Sequence, residues 1–347
     1  MSALNDSRPR RNSAERECYE GVQTYMGITE NTLEEVHFER GDLLRCHKDE
    51  LVLSLMAGRY RPNPVRRVEI PKGDGKMRQL GIPTVVDRTV QQAISQVLLP
   101  IYERQFSDSS FGFRPHRGSH DALRRTLSHL NEGYVYCISL DLERFFDTVN
   151  HSKLIEILSR TVKDGRVVSL IHKYLNAGVM VDGCREDTLE GVPQGGPLSP
   201  LLINVMLSEL DKCLGARGHR FVRYADDCMI FCKSMRAAER VRDSISRFVE
   251  GRLLLKVNRE KTVVGYARGV KYLGYSFYKT KGSWRLSIHP KSVARISSRL
   301  KVLTGRSNGM GYDRRKEELH SYIRGVIGYF RLADSYWNAA SSRMRPN

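Results

Sequence analysis

The sequence predicts an α+β fold that combines an antiparallel sheet with helices. Two observations predict the strands: residues 65–82 are typical of a strand, a turn and a second strand, and residues 221–232 form two β-rich arms around a tight turn. A third observation predicts the helices, because residues 85–105 carry apolar side chains at helical spacing. At 347 residues the chain is long enough for about two domains and a sizeable buried core.

The first half of the chain supplies most of these signals. Val65 to Ile70 is rich in β-forming residues, Gly73-Asp74-Gly75 favours a turn, and Met77 to Ile82 resumes extended chain. The segment from Val135 to Leu142 is typical of a buried strand. Asp141 comes at the end of that strand, where a carboxylate needs an explanation.

The second half continues with strands and ends in helices. A tight hairpin is predicted from Phe221 to Cys232, followed by strand-like pieces at 252–257 and 270–278. Beyond residue 281, two apolar stripes predict amphipathic helices on either side of a linker at 304–311. The stripes consist of Val293, Ile296, Leu300 and Leu303, and of Leu319, Tyr322, Ile323, Val326, Ile327 and Phe330.

The chain is strongly basic. Lys and Arg number 57 against 39 Asp and Glu, a formal net charge of +18. Residues 281–347 alone hold 14 Lys or Arg against four Asp or Glu. Such an excess predicts a polyanionic partner, because each Lys or Arg placed against a phosphate releases a condensed counterion. Composition leaves open whether that partner is DNA, RNA or an anionic membrane, and a basic helix face is also typical of a solvated surface.

Several other classes of protein are excluded. The seven Cys residues are scattered without a Cys-x-x-Cys pair, which argues against a disulfide framework or a structural zinc site. No apolar run approaches the roughly 18 residues of a membrane helix, and the N-terminus lacks the apolar core of a signal peptide. We therefore expect a cytoplasmic chain with no membrane partner.

Three carboxylates stand where an apolar strand or a tight turn would not tolerate a bare charge. Asp141 ends the apolar strand, and Asp226 and Asp227 occupy a turn between two β-rich arms. Unpaired carboxylates in such surroundings are costly, and a divalent cation such as Mg²⁺ would compensate them. Two such ions about 3.5–4 Å apart form the clamp used by polymerases and nucleases. The competing interpretation of an isolated Asp-Asp pair is a plain hairpin turn, which Asp favours on its own.

A second segment, residues 191–200, weakens the plain-turn interpretation. Gly195 and Gly196 allow a close backbone approach to a ligand. Ser199 and Pro200 are typical of the cap and first position of a helix. The apolar residues of that helix are Ile203, Leu207, Leu210 and Leu214.

The motifs occur in a fixed order along the chain. They are Tyr60-Arg-Pro-Asn-Pro-Val-Arg-Arg, Ile70-Pro-Lys-Gly-Asp-Gly-Lys, Leu80-Gly-Ile-Pro, Phe111-Gly-Phe-Arg-Pro, Asp141-Leu-Glu-Arg-Phe-Phe-Asp147, Pro193-Gln-Gly-Gly-Pro-Leu-Ser-Pro200, Tyr224-Ala-Asp-Asp227 and Lys271-Tyr-Leu-Gly-Tyr-Ser-Phe277. The seventh is similar to the Tyr-x-Asp-Asp motif of reverse transcriptases. As a set, the motifs resemble those of the bacterial group II intron reverse transcriptase/maturase family, from about residue 42 to about residue 335.

The resemblance implies a right-hand polymerase with fingers, palm and a helical thumb. Residues 1–40 would be a variable N-terminal leader, and residues 41–280 the fingers and palm. Residues 281–347 would form a thumb/maturase-like helical segment, complete or truncated.

The resemblance also implies a metal site. Asp141 and Asp226 would bind two Mg²⁺ ions, with Mn²⁺ as a substitute. The carbonyl of Leu142 would add a ligand, and Asp227 would complete the acidic triad. Lys261 is similar to the family lysine near the leaving pyrophosphate and is a candidate proton donor, although a surface Lys after a strand is common.

Substrate roles follow from the same resemblance. Phe146 would exclude a 2′-hydroxyl and so select deoxynucleotides, and the alternative is a core aromatic beside Phe145. Gln194 would contact the incoming nucleotide and the templating pair. Lys72 and Arg78, which flank the Gly-Asp-Gly turn, would meet the triphosphate.

Two further segments would bind the nucleic acid. Gly112, Phe113 and Arg114 resemble a template-contacting loop, and Leu273 and Gly274 resemble the primer grip.

The expected function is RNA-directed DNA polymerisation. The chain would add dNTPs to a primer 3′-hydroxyl on an RNA template and would also bind structured intron RNA as a maturase. Two alternatives stay open: a stand-alone, retroelement-derived enzyme for defence or repair, and an RNA-binding splicing cofactor with little polymerase activity. A bacterial cytoplasm is the expected location, with association with the nucleoid left open.

Overall fold

The computed structural model describes residues 48–71, 77–306 and 309–334. Its strands are β1 (Val65–Pro71), β2 (Met77–Ile82), β3 (Tyr136–Leu140), β4 (Val179–Val181), β5 (Cys184–Glu186), β6 (Arg220–Tyr224), β7 (Asp227–Cys232), β8 (Val263–Tyr266), β9 (Lys271–Tyr272), β10 (Tyr275–Thr280) and β11 (Ser283–Ile288). Its helices are α1 (Val85–Glu103), α2 (Ser119–Asn131), α3 (Phe145–Thr148), α4 (His151–Thr161), α5 (Gly165–Leu175), α6 (Ser199–Ala216), α7 (Met235–Arg252), α8 (Pro290–Thr304) and α9 (Tyr312–Phe330). Residues 48–56, ahead of β1, are helical.

A four-stranded antiparallel sheet, in the order β6-β7-β3-β8, forms the centre of the molecule. Strand β7 is apolar from Cys228 to Cys232 because both faces of the sheet are covered. Cys228, Ile230 and Cys232 face a core built with α1, α4, α6 and α7, whereas Met229 and Phe231 face a core built with α2 and β9–β11. Alternate residues of one strand therefore belong to two different cores, as the twofold period of a strand requires.

A second four-stranded sheet, in the order β2-β1-β4-β5, lies beside the first. Strand β1 pairs antiparallel with β2 and parallel with β4. The β1–β2 hairpin was predicted from its flanking strands, and its turn, with Lys72, lies outside the described residues. The predicted leader, residues 1–40, lies outside them as well.

A three-stranded sheet, β11-β10-β9, joins the central sheet to the last two helices. Two predictions are corrected in this region. Residues 252–257 are not a strand: they contribute only an isolated bridge between Val257 and Leu142. Residues 283–288, predicted to begin a helical tail, form β11 because the alternation of Trp284, Leu286 and Ile288 buries one face of a strand.

Helices α8 and α9 carry the two predicted apolar stripes. Leu303 and Phe330 are buried, whereas Ile323 and Ile327 on α9 are exposed. The second stripe is therefore covered on only part of its length among the described residues. No helix in the described parts of the chain has the length and apolar character to span a membrane.

Candidate active site

The three predicted carboxylates lie at one end of the central sheet. In the β3–β7 register Leu140 is opposite Cys228, so Asp141, one residue further, comes next to Asp227. In the β6–β7 hairpin Tyr224 is opposite Asp227, which leaves Ala225 and Asp226 as a two-residue loop. The end of β3 and the β6–β7 turn thus bring Asp141, Asp226 and Asp227 together.

The β6–β7 turn has a strained backbone. Ala225 adopts φ +55, a left-handed conformation that costs a residue with a Cβ about 1–2 kcal/mol. The backbone of Gly112 lies against this turn: a Cβ on Gly112 would collide with the Ala225 nitrogen and lie 2.9 Å from its Cα. Strain held by close backbone packing is typical of functional sites.

The carboxylates interact electrostatically. Desolvation by the surrounding protein raises the pKa of Asp227 to about 6, with further contributions from the charges of Asp226 and Asp141, while Lys271 opposes them. Asp227 as a residue is nevertheless exposed to solvent. An ionised Asp227 is therefore unfavourable in the protein on its own, which is the condition that a bound cation would relieve.

Asp141 is held by the chain that precedes β8. Its carbonyl accepts a hydrogen bond from the Asn258 N–H at 2.9 Å, and its own N–H donates to Thr262 Oγ1 at 3.2 Å. The Asn258 side chain accepts from the Lys261 N–H at 3.1 Å, which closes the turn that carries Lys261. Desolvation raises the pKa of Asp141, the charge of Lys261 lowers it and Asp226 raises it again. Lys261 thus lies within electrostatic reach of the acidic site.

Replacing Asp227 by Asn should stabilise the metal-free protein at neutral pH. A carboxyl pKa raised from 3.8 to about 6 on folding means that its stabilising contribution is complete below pH 3.8 and is lost as the pH rises through 6. We expect Asp227→Asn to raise the free energy of unfolding above pH 6 by on the order of 1 kcal/mol, because solvent screens the exposed group, and so to raise Tm there while leaving it unchanged near pH 4. Thermal unfolding in EDTA across this pH range measures the difference. The exposed Asp243→Asn is the control, and a gain independent of pH would contradict the assignment.

The donor set fits Mg²⁺ without forming a closed cage. In the described parts of the chain, no three His, Cys, Asp or Glu side chains form a preformed metal-binding group. Mg²⁺ in phosphoryl-transfer enzymes is held by one or two carboxylates together with substrate phosphates, so an open set of oxygens is what such a site requires. After desolvation, the charges of Asp226 and Asp141 also raise the pKa of Asp227, so the three carboxylates lie within electrostatic reach of one another.

The loop before α6 packs against the neighbouring sheet. The Gly81 N–H on β2 donates to the Gln194 carbonyl at 2.7 Å. A Cβ on Gly196 would lie 2.5 Å from the Gln91 side-chain oxygen, so the Gln91 side chain would have to move to admit one. The predicted cap is wrong by one residue: Leu198 is the N-cap and Ser199 is the first residue of α6. The Ser199 hydroxyl donates to the Pro193 carbonyl at 2.6 Å and so closes the loop.

Phe146 is joined to this loop through its backbone. Its ring is half-buried and meets the ring of Phe145 edge-on, with centroids 5.8 Å apart. Its carbonyl accepts from the Val192 N–H at 2.6 Å, two residues before Gln194. The backbone thereby joins the segment after Asp141 to the Gln194 loop.

Comparison with known proteins identifies the family. Residues 70–277, more than half of the chain, match the family model described as reverse transcriptase (RNA-dependent DNA polymerase). Protein YkfC of Escherichia coli (strain K12) is 35% identical over 280 residues, which cover 70% of this chain and 72% of YkfC. The chain belongs to the reverse transcriptase family.

Other relatives of this reverse transcriptase are longer. Group II intron-encoded protein LtrA of Lactococcus lactis subsp. cremoris is 43% identical over 164 residues, which cover 47% of this chain and 27% of LtrA. The aligned part of the chain therefore spans about a quarter of LtrA. The predicted resemblance to the group II intron reverse transcriptases is confirmed.

Solved structures confirm the predicted α+β polymerase fold. Telomerase from Candida albicans, in complex with a fragment of telomeric RNA, has a TM-score of 0.54 at 14% identity, over 79% of this chain and 55% of that chain. Apo telomerase from Candida tropicalis has a TM-score of 0.54 at 14% identity, over 78% and 58% of the two chains. At this identity the likeness concerns the fold alone.

The predicted template loop of the reverse transcriptase contains one exposed residue, Phe113, and two residues with structural contacts, Gly112 and Arg114. Phe113 is 48% exposed, and Gly112 supports the β6–β7 turn. Arg114 is corrected as a template contact: its side chain is 1% exposed, pairs with Glu103 at 2.7 Å and donates to the Ser110 carbonyl at 2.9 Å. These bonds commit its guanidinium to holding the loop.

The predicted primer grip is the tight turn between β9 and β10. Leu273 and Gly274 both have positive φ, +47 and +79, as a two-residue hairpin loop of this hand requires. The Leu273 carbonyl accepts from the Tyr329 hydroxyl at 3.0 Å, and the Gly274 carbonyl accepts from Ser292 Oγ at 2.9 Å. Both carbonyls of the turn are therefore bonded to helices α8 and α9.

Sequence analysis missed two charged residues near the site. Arg223 on β6 and Asp211 on α6 are fully buried and pair with each other at 2.6 Å. Arg223 lies between Val222 and Tyr224 and is a charge in a strand, the kind of signal that identified Asp141, whereas Asp211 lies between Leu210 and Lys212 and gives no such signal.

Proposed function

We propose that this reverse transcriptase adds deoxynucleotides to a primer 3′-hydroxyl on an RNA template, with Asp141, Asp226 and Asp227 holding Mg²⁺. The observation that carries the proposal is the convergence of the three carboxylates at one end of the central sheet, where desolvation and then the charge of Asp226 raise the pKa of both Asp227 and Asp141. A plain hairpin turn would need only the Asp-Asp pair and gives no reason for a third carboxylate from β3.

The chemistry divides among the residues around this site. Bound Mg²⁺, with Mn²⁺ as a substitute, would supply charge neutralisation at the phosphates and a more acidic primer hydroxyl. The carboxylates of Asp141, Asp226 and Asp227 and the carbonyl of Leu142 would hold the ions. Lys261 lies within electrostatic reach of Asp141 and would donate a proton to the leaving pyrophosphate.

The nucleotide would bind between the Gln194 loop and the β1–β2 hairpin. Arg78 lies opposite Ile70 on β1, one residue pair from the end of the β1–β2 ladder. It is therefore close in sequence to the connecting segment that contains Lys72. The side chains of Lys72 and Arg78 would contact the triphosphate. Their positive charges would stabilise the negative charge that develops on the leaving pyrophosphate during transfer. Gln194 would position the base pair above Phe146.

Primer extension tests the polymerase proposal directly. Purified protein, a labelled primer on an RNA template, dNTPs and Mg²⁺ should give products extended to the template end, and EDTA should abolish them. Failure to extend with either Mg²⁺ or Mn²⁺ would contradict the proposal.

Replacing Phe146 by Val should admit ribonucleotides. The smaller side chain leaves room for a 2′-hydroxyl, so we expect the dNTP/rNTP ratio of kcat/KM to fall roughly 10- to 200-fold. Single-nucleotide incorporation measures this ratio. Phe145→Val is the control, because Phe145 is buried in the core and its loss should lower stability without changing sugar selectivity. Equal selectivity in the Phe146 variant and the wild type would return Phe146 to a packing role.

A second role in intron splicing is favoured by the relative named as a group II intron-encoded protein and by the net charge of +18. We propose that the chain also binds structured intron RNA. A splicing assay at near-physiological Mg²⁺ should then show assistance by both the wild type and Asp226→Ala, because binding does not need the catalytic carboxylate. Primer extension without any effect on splicing would support the stand-alone enzyme instead.

A further inference from the structure

A buried ion pair lies beneath the β6–β7 turn. Arg223 Nε donates to Asp211 Oδ1 at 2.8 Å and Arg223 Nη2 donates to Asp211 Oδ2 at 2.6 Å. The two side chains are 0% and 1% exposed. The two-point geometry fixes the plane of the guanidinium, and each charge would be costly without the other.

The remaining nitrogen of Arg223 reaches the turn itself. Nη1 donates to the Ala225 carbonyl at 2.8 Å and to Asn204 Oδ1 at 2.9 Å. Ala225 is the residue with φ +55, immediately before Asp226. The guanidinium therefore holds the peptide that sets the direction of the Asp226 side chain.

Asn204 on α6 connects this guanidinium to the loop on the other side of the turn. Its Nδ2 donates to the Gly112 carbonyl at 2.9 Å, so both halves of the amide are used at once. Asn204 is 1% exposed, and no water replaces either bond without a change of packing. Because Arg223 can only donate, the amide oxygen faces Arg223 and the amide nitrogen faces Gly112.

The loop that carries Gly112 is itself paired with β6. The Phe111 N–H donates to the Arg223 carbonyl and the Arg223 N–H donates to the Ser109 carbonyl, each at 2.8 Å. The loop thus follows β6 like an added strand and ends with Gly112 against the turn. Asn204 fixes that end.

We propose that Asn204 is a positioning residue of the polymerase site: through Arg223 and Gly112 it holds the Ala225–Asp226 turn in the conformation that binds metal. Helix α6 begins directly after the Gln194 loop, so Asn204 connects the nucleotide side of the site to the metal side. The proposal rests on Asp226 and Asp227 being metal ligands, as argued above. Residues that orient metal ligands typically change metal affinity or activity about 10- to 100-fold when replaced.

The sharpest test is Asn204→Ala, which removes the bridge and leaves the Arg223–Asp211 pair in place. Mn²⁺ binding is measured by electron paramagnetic resonance on the protein with a dideoxy-terminated primer, an RNA template and the matching dNTP. We expect the Mn²⁺ dissociation constant to rise about tenfold. In parallel, kcat for primer extension should fall about 10- to 100-fold, with little change in KM for the dNTP.

Ser208→Ala is the matched control. Ser208 is a buried polar residue one turn further along α6, and its hydroxyl donates to the Val205 carbonyl at 2.7 Å within the helix. We expect it to leave Mn²⁺ affinity and kcat unchanged. Asn204→Asp is the second variant in case the alanine variant does not fold: it keeps the size and the acceptor for Arg223 but loses the donor to Gly112, and should weaken Mn²⁺ binding in the same direction.

Asp226→Ala, measured alongside, separates the two proposals. If Asp226→Ala is inactive and a folded Asn204 variant binds Mn²⁺ like the wild type, the positioning role is overturned while the metal assignment stands. If Asp226→Ala extends primers normally, the metal assignment fails, and the positioning role with it. Weakened Mn²⁺ binding in the Asn204 variants with an unchanged Ser208→Ala supports the proposal.

Discussion

Asp226→Ala should abolish primer extension on an RNA template while leaving RNA binding intact. Asp226 lies at the tip of the β6–β7 turn, where it acts on the pKa of both Asp141 and Asp227. Loss of a carboxylate that holds a catalytic cation removes several kcal/mol of transition-state stabilisation, about 10³-fold or more in rate. RNA affinity depends mainly on Lys and Arg against phosphates, so removing a negative charge should not weaken it.

Two measurements make this result decisive. Single-turnover extension gives the rate of nucleotide addition, and a filter-binding titration at fixed salt gives the affinity for the primer–template. Asp243→Ala is the control, because Asp243 is an exposed carboxylate on α7 paired with Arg242. A rate within tenfold of the wild type in Asp226→Ala would remove Asp226 from the site. A parallel loss of RNA binding would mean that the variant had lost its structure.

Gly112→Ala should disable the enzyme through the backbone of the turn. The new Cβ would collide with the Ala225 nitrogen and lie 2.9 Å from the Tyr224 carbonyl carbon, and backbone atoms cannot rotate away as a side chain can. The turn or the loop must therefore shift. We expect a loss of about 1–3 kcal/mol in stability and, because about 1 Å of displacement can cost 10²-fold in rate, at least that loss in kcat.

The matched control for this prediction is Gly215→Ala. Gly215 lies near the end of α6, where nothing lies within 4 Å of an added Cβ and the backbone is helical. Alanine there should leave kcat unchanged and raise stability by about 0.5–1 kcal/mol. Thermal unfolding and primer extension on the two variants measure both effects. If Gly112→Ala were as active as Gly215→Ala, the turn would tolerate displacement and its packing would not matter for catalysis.

The sequence predicted the central site because its residues conflict with their local surroundings. Asp141 at the end of an apolar strand and Asp226 in a tight turn are costly as bare charges, and that cost is visible without a structure. The order of the motifs then supplied the family, which the comparisons confirm. The roles of individual residues such as Lys261 and Gln194 stay predictions.

What could not be predicted depends on long-range pairing. Arg114 is an exposed-looking cation in a loop, and only the fold shows that Glu103, at the end of α1, pairs with it. Asn204 looks like one polar position in an apolar helix, and its two bonds join segments that are distant in the chain. The strand β11 was mistaken for part of a helical tail because the basic composition of the segment outweighed its alternating pattern.

The bonds between the β9–β10 turn and the last two helices bear on how the enzyme moves along its template. Tyr329 and Ser292 each hold one carbonyl of that turn, and Phe330 packs on Tyr275 with ring centroids 5.1 Å apart. The predicted palm and thumb are thereby joined through the turn that was predicted to grip the primer. We therefore expect helices α8 and α9 to travel with the β9–β10 turn during translocation along the template.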